Sequence, residues 1–219
     1  MTVLSTKKLS LSQKNLFLNT GLSLVEYDAI NIEFLDFEFP EKEIKNAIIT
    51  SRSSAKAIIE RQLKIQNCFC VGEKTAGFLK KHNFNIREVS DYGSDLAKII
   101  TEKYREDNFT FFCGNLRREE LPSVLKEEGI EFQEVEVYKT SLNKQSFPQE
   151  FDGIMFYSPS GVKSFASENK IKESTAFCIG KTTAKEAEKH TENIIIATKP
   201  SIENLIVTVV KHYTQKNLK

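Results

Sequence analysis

Short apolar runs rich in Ile, Val, Phe and Cys recur along the chain, each ending in small or polar residues that open a helical pattern. Ala47-Ile48-Ile49 runs into Thr50-Ser51-Arg52-Ser53-Ser54, after which Ala55-Lys56-Ala57-Ile58-Ile59-Glu60 carries apolar residues at helical spacing. Phe69-Cys70-Val71 runs in the same way into Gly72-Glu73-Lys74-Thr75-Ala76. Strand, turn and helix in repetition predict an α/β fold, a parallel sheet flanked by helices. A middle stretch continues the pattern: a strand over 109–113, a turn at Gly114-Asn115, a helix over 118–128, Gly129 as its stop and a strand over 132–138.

Comparing the chain with itself adds the organisation. Residues 154–162 resemble 47–55 at an offset of 107, and 177–184 resemble 69–76 at an offset of 108. Pro200-Ser201 begins a third block that answers to Gly93-Ser94, again at 107. Two copies of one α/β unit follow. Ahead of the first copy, residues 2–39 hold a short strand, a helical stretch over about 12–19 and an alternating run over 32–39. A second alternating run, 131–138, leaves the middle region, and a polar loop over 139–149 follows it. Alternation suits strands with one solvated face. Two such strands bracketing about a hundred residues predict a domain inserted into another, joined by a two-stranded antiparallel β-ladder. The expected first domain comprises 1–33 with 142–219 and the inserted domain 38–136, with 34–37 and 137–141 as linker strands.

Composition narrows the functions. The chain has 219 residues, 40% of them hydrophobic, which is ample for two cores. Its 31 Lys and Arg against 30 Asp and Glu lack the standing excess that a phosphate backbone requires, so nucleic acid is not expected as a partner. No apolar run is long enough for a membrane span. No secretory signal is read at the N-terminus, and the four cysteines sit in strand-like runs as small hydrophobes, which predicts a reduced, cytoplasmic protein. Cys68 and Cys70 would point to one face of a strand. The three histidines lack metal-ligand spacing from any cysteine, so no metal site is expected.

The chemistry concentrates in the turns. Beyond the carboxyl ends of parallel strands, helix N-termini present free N–H groups. Ser51, Thr75, Ser158, Ser160, Thr182, Thr183 and Ser201 all fall there, where a hydroxyl can cap the helix or meet an anion. The same turns hold Arg52, Lys74, Arg117, Arg118, Lys163, Lys181 and Lys199 but only Glu73 as an acid, seven basic residues to one. The turns of the two domains together read as the two lips of a cleft for a ligand with several carboxylates or phosphates. Gly180-Lys181-Thr182-Thr183 lacks the upstream glycine of a phosphate-binding loop, and neither a nucleophile elbow nor a histidine triad is present. Tyr138, ending the outgoing linker strand, is a candidate phenol donor.

Six stretches taken together resemble the uroporphyrinogen-III synthase family. They are Thr50-Ser51; Gly72 with Thr75-Ala76; Cys113-Gly114-Asn115-Leu116-Arg117-Arg118-Glu119 with Leu121-Pro122; Val137-Tyr138 with Thr140; Phe156 with Ser158-Pro159-Ser160-Gly161-Val162; and Ile179-Gly180 with Thr182-Thr183-Ala184. The resemblance covers most of 34–205. It implies a bilobed, flexible monomer that cyclises hydroxymethylbilane to uroporphyrinogen III without a cofactor, in haem biosynthesis. Water is lost and ring D is inverted through a spiro intermediate. The resemblance assigns Tyr138 to assisting departure of the hydroxyl and matches Thr75 and Thr183 to the family's cleft threonines. It leaves Ser51, Arg52, Lys74, Arg118, Ser158, Ser160, Lys181, Thr182 and Ser201 as substrate-binding candidates. The competing reading is a non-catalytic two-lobed protein that binds a polycarboxylate.

Overall fold

A computed structural model describes residues 1–37 and 43–216. The chain opens with β1 (Thr2–Ser5), the short helix α1 (Leu11–Lys14) and β2 (Ser23–Glu26), then β3 (Ile30–Phe34). Next come β4 (Ile44–Ile49), α2 (Arg52–Glu60), β5 (Ile65–Val71), α3 (Glu73–Lys80), β6 (Ile86–Ser90) and α4 (Gly93–Lys103). β7 (Phe109–Gly114), α5 (Glu120–Glu127) and β8 (Phe132–Leu142) complete the middle region. The chain then runs through β9 (Gly153–Phe156), α6 (Pro159–Ala166), β10 (Thr175–Cys178), α7 (Lys181–Ala187), β11 (Ile194–Ile196) and α8 (Ile202–Lys216). Two compact units result: unit 1 is Met1–Asn31 with Ser141–Lys219, and unit 2 is Ile32–Thr140.

Unit 1 is built on a parallel sheet in the order β11-β10-β9-β1-β2. In the second sheet, β3-β8-β7-β4-β5-β6, every pair from β8 to β6 is parallel. Written as β2-β1-β9-β10-β11 beside β8-β7-β4-β5-β6, the two orders trace one path entered at different strands. Unit 2 starts on its central strand β4, winds out to β6 and returns to β7 and β8. Unit 1 starts on the central strand β9, winds out to β11, and borrows β1 and β2 from the start of the chain for its other half. Unit 1 is therefore a circular permutation of unit 2. This explains why the sequence repeat relates 47–96 to 154–205 but offers nothing after α8 to match 109–138.

Strand parity sorts the cores. Ala47, Ile49, Cys68, Cys70 and Phe112 face one apolar cluster of unit 2, while Ile48, Phe69, Phe111 and Cys113 face another on the opposite side of the sheet. Ile154, Phe156, Ala176 and Cys178 against Met155 and Phe177 repeat that division in unit 1. Both faces are covered, so the central strands read as unbroken apolar runs. The expected pairing of Cys68 and Cys70 on one face is found.

Several boundaries differ from expectation for identifiable reasons. The helix expected from 118 starts at Glu120. Pro122 has no N–H and its ring would clash with the carbonyl four residues back, so it is accommodated only in a first turn. β2 is an additional strand between the short strand and the alternating strand expected in 2–39, and its lack of periodicity over four residues hid it. The expected helix over 12–19 reduces to α1 followed by a 3-10 turn at Asn15–Phe17. The alternating run ends as a strand at Phe34, and its last residues, 38–39, lie outside the described residues. β8 extends to Leu142, so the polar loop begins later than 139. The Asn143 N–H donates to the Ala29 carbonyl (2.9 Å) and the Leu35 N–H to the Val137 carbonyl (3.1 Å). One partner rises from 29 to 35 as the other falls from 143 to 137, so β3 and β8 run antiparallel.

Candidate functional site

The strand order of unit 2 sets the place for a ligand. The chain leaves β4 toward one edge and reaches the other edge through β7, so the segments after these adjacent strands diverge and open a crevice at their carboxyl ends. A pocket of about 370 Å³ lies there. Thr50 and Ser51 line it from the end of β4, Asp91 and Tyr92 from the end of β6, Arg117 and Arg118 from beyond β7, and Tyr138 from β8. Ser51, Arg118 and Tyr138, chosen from sequence, thus share one pocket although 87 positions separate the first from the last. A larger hollow of about 550 Å³ in unit 1 lies against Met1, Asp152 and Thr175, at the starting ends of its strands, where no helix N-terminus points. The hollow also holds Ser174, Lys172 and Tyr213, but there the Tyr213 hydroxyl donates to the Asp152 carbonyl (2.7 Å), the Ser174 hydroxyl donates to the Phe151 carbonyl (2.6 Å) and Lys172 pairs with Glu150. The smaller pocket is the one at strand carboxyl ends with a cation and a phenol uncommitted among the described residues.

Tyr138 is half-buried, and its hydroxyl has no hydrogen-bond partner among the described residues. Arg118 is exposed and forms no ion pair among them. Ser51 is the N-cap of α2, its Oγ accepting from the Ser54 N–H (3.0 Å) and lying 2.9 Å from the Ser54 Oγ. Ser158 does the same for α6, accepting from the Gly161 N–H (3.1 Å), and Ser201 accepts from the Asn204 N–H (3.1 Å) at the start of α8. Capping therefore occupies part of each of these serines' hydrogen-bonding capacity. Ser160 Oγ is 3.4 Å from Ser158 Oγ.

The second helix of each copy is built differently. Gly72 is the N-cap of α3 and Gly180 that of α7, and neither supplies a side-chain acceptor. The first N–H groups of these helices are left for other partners. Lys74 and Thr182 sit exposed at N2 of their helices, Lys181 exposed at N1 of α7, and Thr75 and Thr183 buried at N3. The two threonines are 6% and 4% exposed, and among the described residues neither hydroxyl has a partner. None of these residues lines the pocket of unit 2.

The charge expected of the turns is partly spent. The Arg52 guanidinium lies 4.8 Å from the centre of the Phe78 ring. Arg117 binds Glu134 through Nε and Nη2 and pairs with Glu119 through Nη1. Asp91 and Glu120 enter the pocket lining from neighbouring turns. The local excess of cations is therefore smaller than the seven to one read along the chain. Lys74, Arg118, Lys163, Lys181 and Lys199 form no ion pair among the described residues. Sequence reasoning passed over Tyr92, whose exposed ring precedes the repeated Gly93-Ser94 block; that position was its one signal. Among the described residues no group of His, Cys, Asp or Glu is arranged to hold a metal ion, and no helix is long and apolar enough to cross a membrane.

Comparison with known proteins completes the picture. A family model described as uroporphyrinogen-III synthase HemD matches residues 13–207. The porphyrin biosynthesis protein HemD of Ruminiclostridium josui is 27% identical over 171 residues, covering 70% of this chain and 33% of that protein. The chain thus spans about a third of that relative's length. The uroporphyrinogen-III synthase of Saccharomyces cerevisiae is 24% identical over 219 residues, covering 86% of this chain and 78% of that one. Among solved structures, uroporphyrinogen-III synthetase from Helicobacter pylori aligns with a TM-score of 0.74 at 18% identity, over 96% of this chain and 99% of the other. A mutant uroporphyrinogen III synthase from Thermus thermophilus gives 0.65 at 16% identity, with 99% of each chain covered. At these identities the structures establish the two-unit α/β fold.

Proposed function

The chain belongs to the uroporphyrinogen-III synthase family, and we propose that it converts hydroxymethylbilane to uroporphyrinogen III, closing the macrocycle with inversion of ring D and loss of water. The family match over 13–207 carries this reading, and the pocket that gathers Ser51, Arg118 and Tyr138 supports it. The substrate has eight carboxylates and no phosphate, which suits hydroxyls, isolated cations and open helix N–H groups.

The electron-rich pyrrole chain pushes out its terminal hydroxyl with little help, so the need for acid catalysis is modest. Tyr138 donates its phenolic hydrogen to the departing oxygen, and a phenol is a neutral donor at physiological pH. The larger task is to steer the resulting electrophilic methylene to the substituted carbon of ring D, so that a spiro intermediate forms before ring D is inverted. That is a problem of positioning. Ser51 and Arg118 hold carboxylates in the unit 2 pocket. Thr75, with Lys74 and Arg52, and in unit 1 Thr183, with Ser158, Ser160, Lys181, Thr182 and Ser201, supply further contacts. The protein acts as a cytoplasmic monomer in this reading. Tyr138→Phe is expected to lower turnover by about ten- to a hundredfold while tetrapyrrole binding persists. Unchanged turnover would remove the tyrosine from the reaction, and binding without turnover in the wild type would make the protein a receptor.

A further inference from the structure

We infer that Gly114 and Asn115 are positioning residues for Tyr138, a role that rests on the synthase reading for its chemistry but on geometry for its existence. The register between β7 and β8 slips at this point: Cys113 pairs with Glu136, but Gly114 pairs with Tyr138. The extra residue on β8 is a bulge, a device that re-aims a side chain. Val137 and Tyr138, neighbours that would face opposite sides of a regular strand, both pack against the same apolar cluster.

Gly114 then supplies the surface on which the ring rests. A Cβ at this position would lie 2.4 Å from the Tyr138 Cζ, 2.5 Å from Cε2 and 2.9 Å from Cε1. No side chain is compatible with the ring where it is. The glycine is required by close approach, because its φ is outside the left-handed region that marks Gly21, Gly72 and Gly129. Asn115 fixes the strand on the far side of the ring. Its Oδ1 accepts from the Thr140 N–H (2.8 Å) and its Nδ2 donates to the Thr140 carbonyl (3.2 Å), while its own N–H donates to the Tyr138 carbonyl (3.4 Å). The side-chain amide replaces backbone pairing where β7 has already ended. Arg117 grips Glu134, four residues before the tyrosine, from the same turn. The Tyr138 hydroxyl has no partner of its own among the described residues, so this turn, and no bond to the phenol, sets where the oxygen points.

The test combines kinetics with a structural signal. Asn115→Ala and Gly114→Ala are assayed alone and in a Tyr138→Phe background, which keeps the ring. Nuclear magnetic resonance reads the Gly114 α-protons in the wild type, in Asn115→Ala and in Tyr138→Leu. The ring face should shift one Gly114 α-proton upfield in the wild type, and both Tyr138→Leu and Asn115→Ala should abolish the shift. Asn115→Ala should lower kcat for isomer III by about ten- to a hundredfold with KM within about twofold, and should cost nothing further once Tyr138 is Phe. An unchanged α-proton in Asn115→Ala, or the same kcat loss with and without the phenol, would overturn the role. Gly114→Ala should match Asn115→Ala in kcat; should it fail to fold, Asn115→Ala decides. If the wild type makes no isomer III, the synthase reading fails, and the α-proton shift alone decides whether the turn positions the ring.

Discussion

Arg117 and Arg118 stand side by side, yet Arg117 is committed to Glu119 and Glu134 while Arg118 is exposed and free of ion pairs among the described residues. Their substitutions should separate accordingly. Arg118→Ala is expected to raise KM about tenfold, some 1.4 kcal/mol, with stability within about 0.5 kcal/mol of wild type. Arg117→Ala should cost about 1–2 kcal/mol of stability, since Glu134 loses its two-point hydrogen-bonded partner and keeps only Lys126, 3.6 Å away. Equal effects of the two on stability would refute the distinction. Residue type was legible in the sequence here and residue partner was not, because Glu134 lies on another strand and Phe78, which takes Arg52, on another helix. The cysteines were read correctly as core residues, since an unbroken apolar run on a strand buried on both faces shows in the sequence itself. Burial pushes the Cys68 thiol from 9.0 to about 12, helped by neighbouring Cys70, and burial brings Cys70 and Cys178 also to about 12. A raised thiol pKa means the folded protein keeps protons that the unfolded chain releases. Their contribution is complete below about pH 9 and is lost as pH climbs toward about 12. Urea midpoints should therefore fall steadily above about pH 9, and a flat profile would contradict the burial.

At the scale of elements, the repeat places Gly72 and Gly180 at equivalent helix starts, but the backbone distinguishes them. Gly72 has φ +85°, which L side chains rarely adopt, whereas Gly180 has φ −174° in open space. Gly72→Ala should cost about 1–3 kcal/mol and Gly180→Ala close to nothing, as measured by denaturant unfolding. A similar cost at both positions would show that the shared role is something other than conformation. In denaturant unfolding, Ser158→Ala loses the cap of α6 and should cost about 1 kcal/mol of stability, separately from its substrate contact. These helix starts were visible because serine, glycine and proline act locally. The short strand β2, four residues without alternation, and the start of α5, moved inward by Pro122, were set by packing and by ring sterics that periodicity does not register.

At the scale of the molecule, strand order was out of reach of the sequence. The repeat revealed two related units, but not that β1 and β2 complete the second of them, since parallel neighbours are chosen by sheet topology and not by adjacency in the chain. The same order explains the pocket of unit 2, because the crevice opens between β4 and β7, strands separated by two others in sequence. Each unit has its own cores, and β3 and β8 bring the ends of unit 2 together. The fragment 32–140 is therefore expected to unfold cooperatively by circular dichroism on its own, and a fragment lacking a transition would show that unit 2 depends on unit 1. Synthase activity is read directly by incubating the pure protein with freshly prepared hydroxymethylbilane, oxidising the products and separating the isomers. Uroporphyrin III in excess over the type I isomer formed without protein is the predicted result, and type I alone would contradict the account.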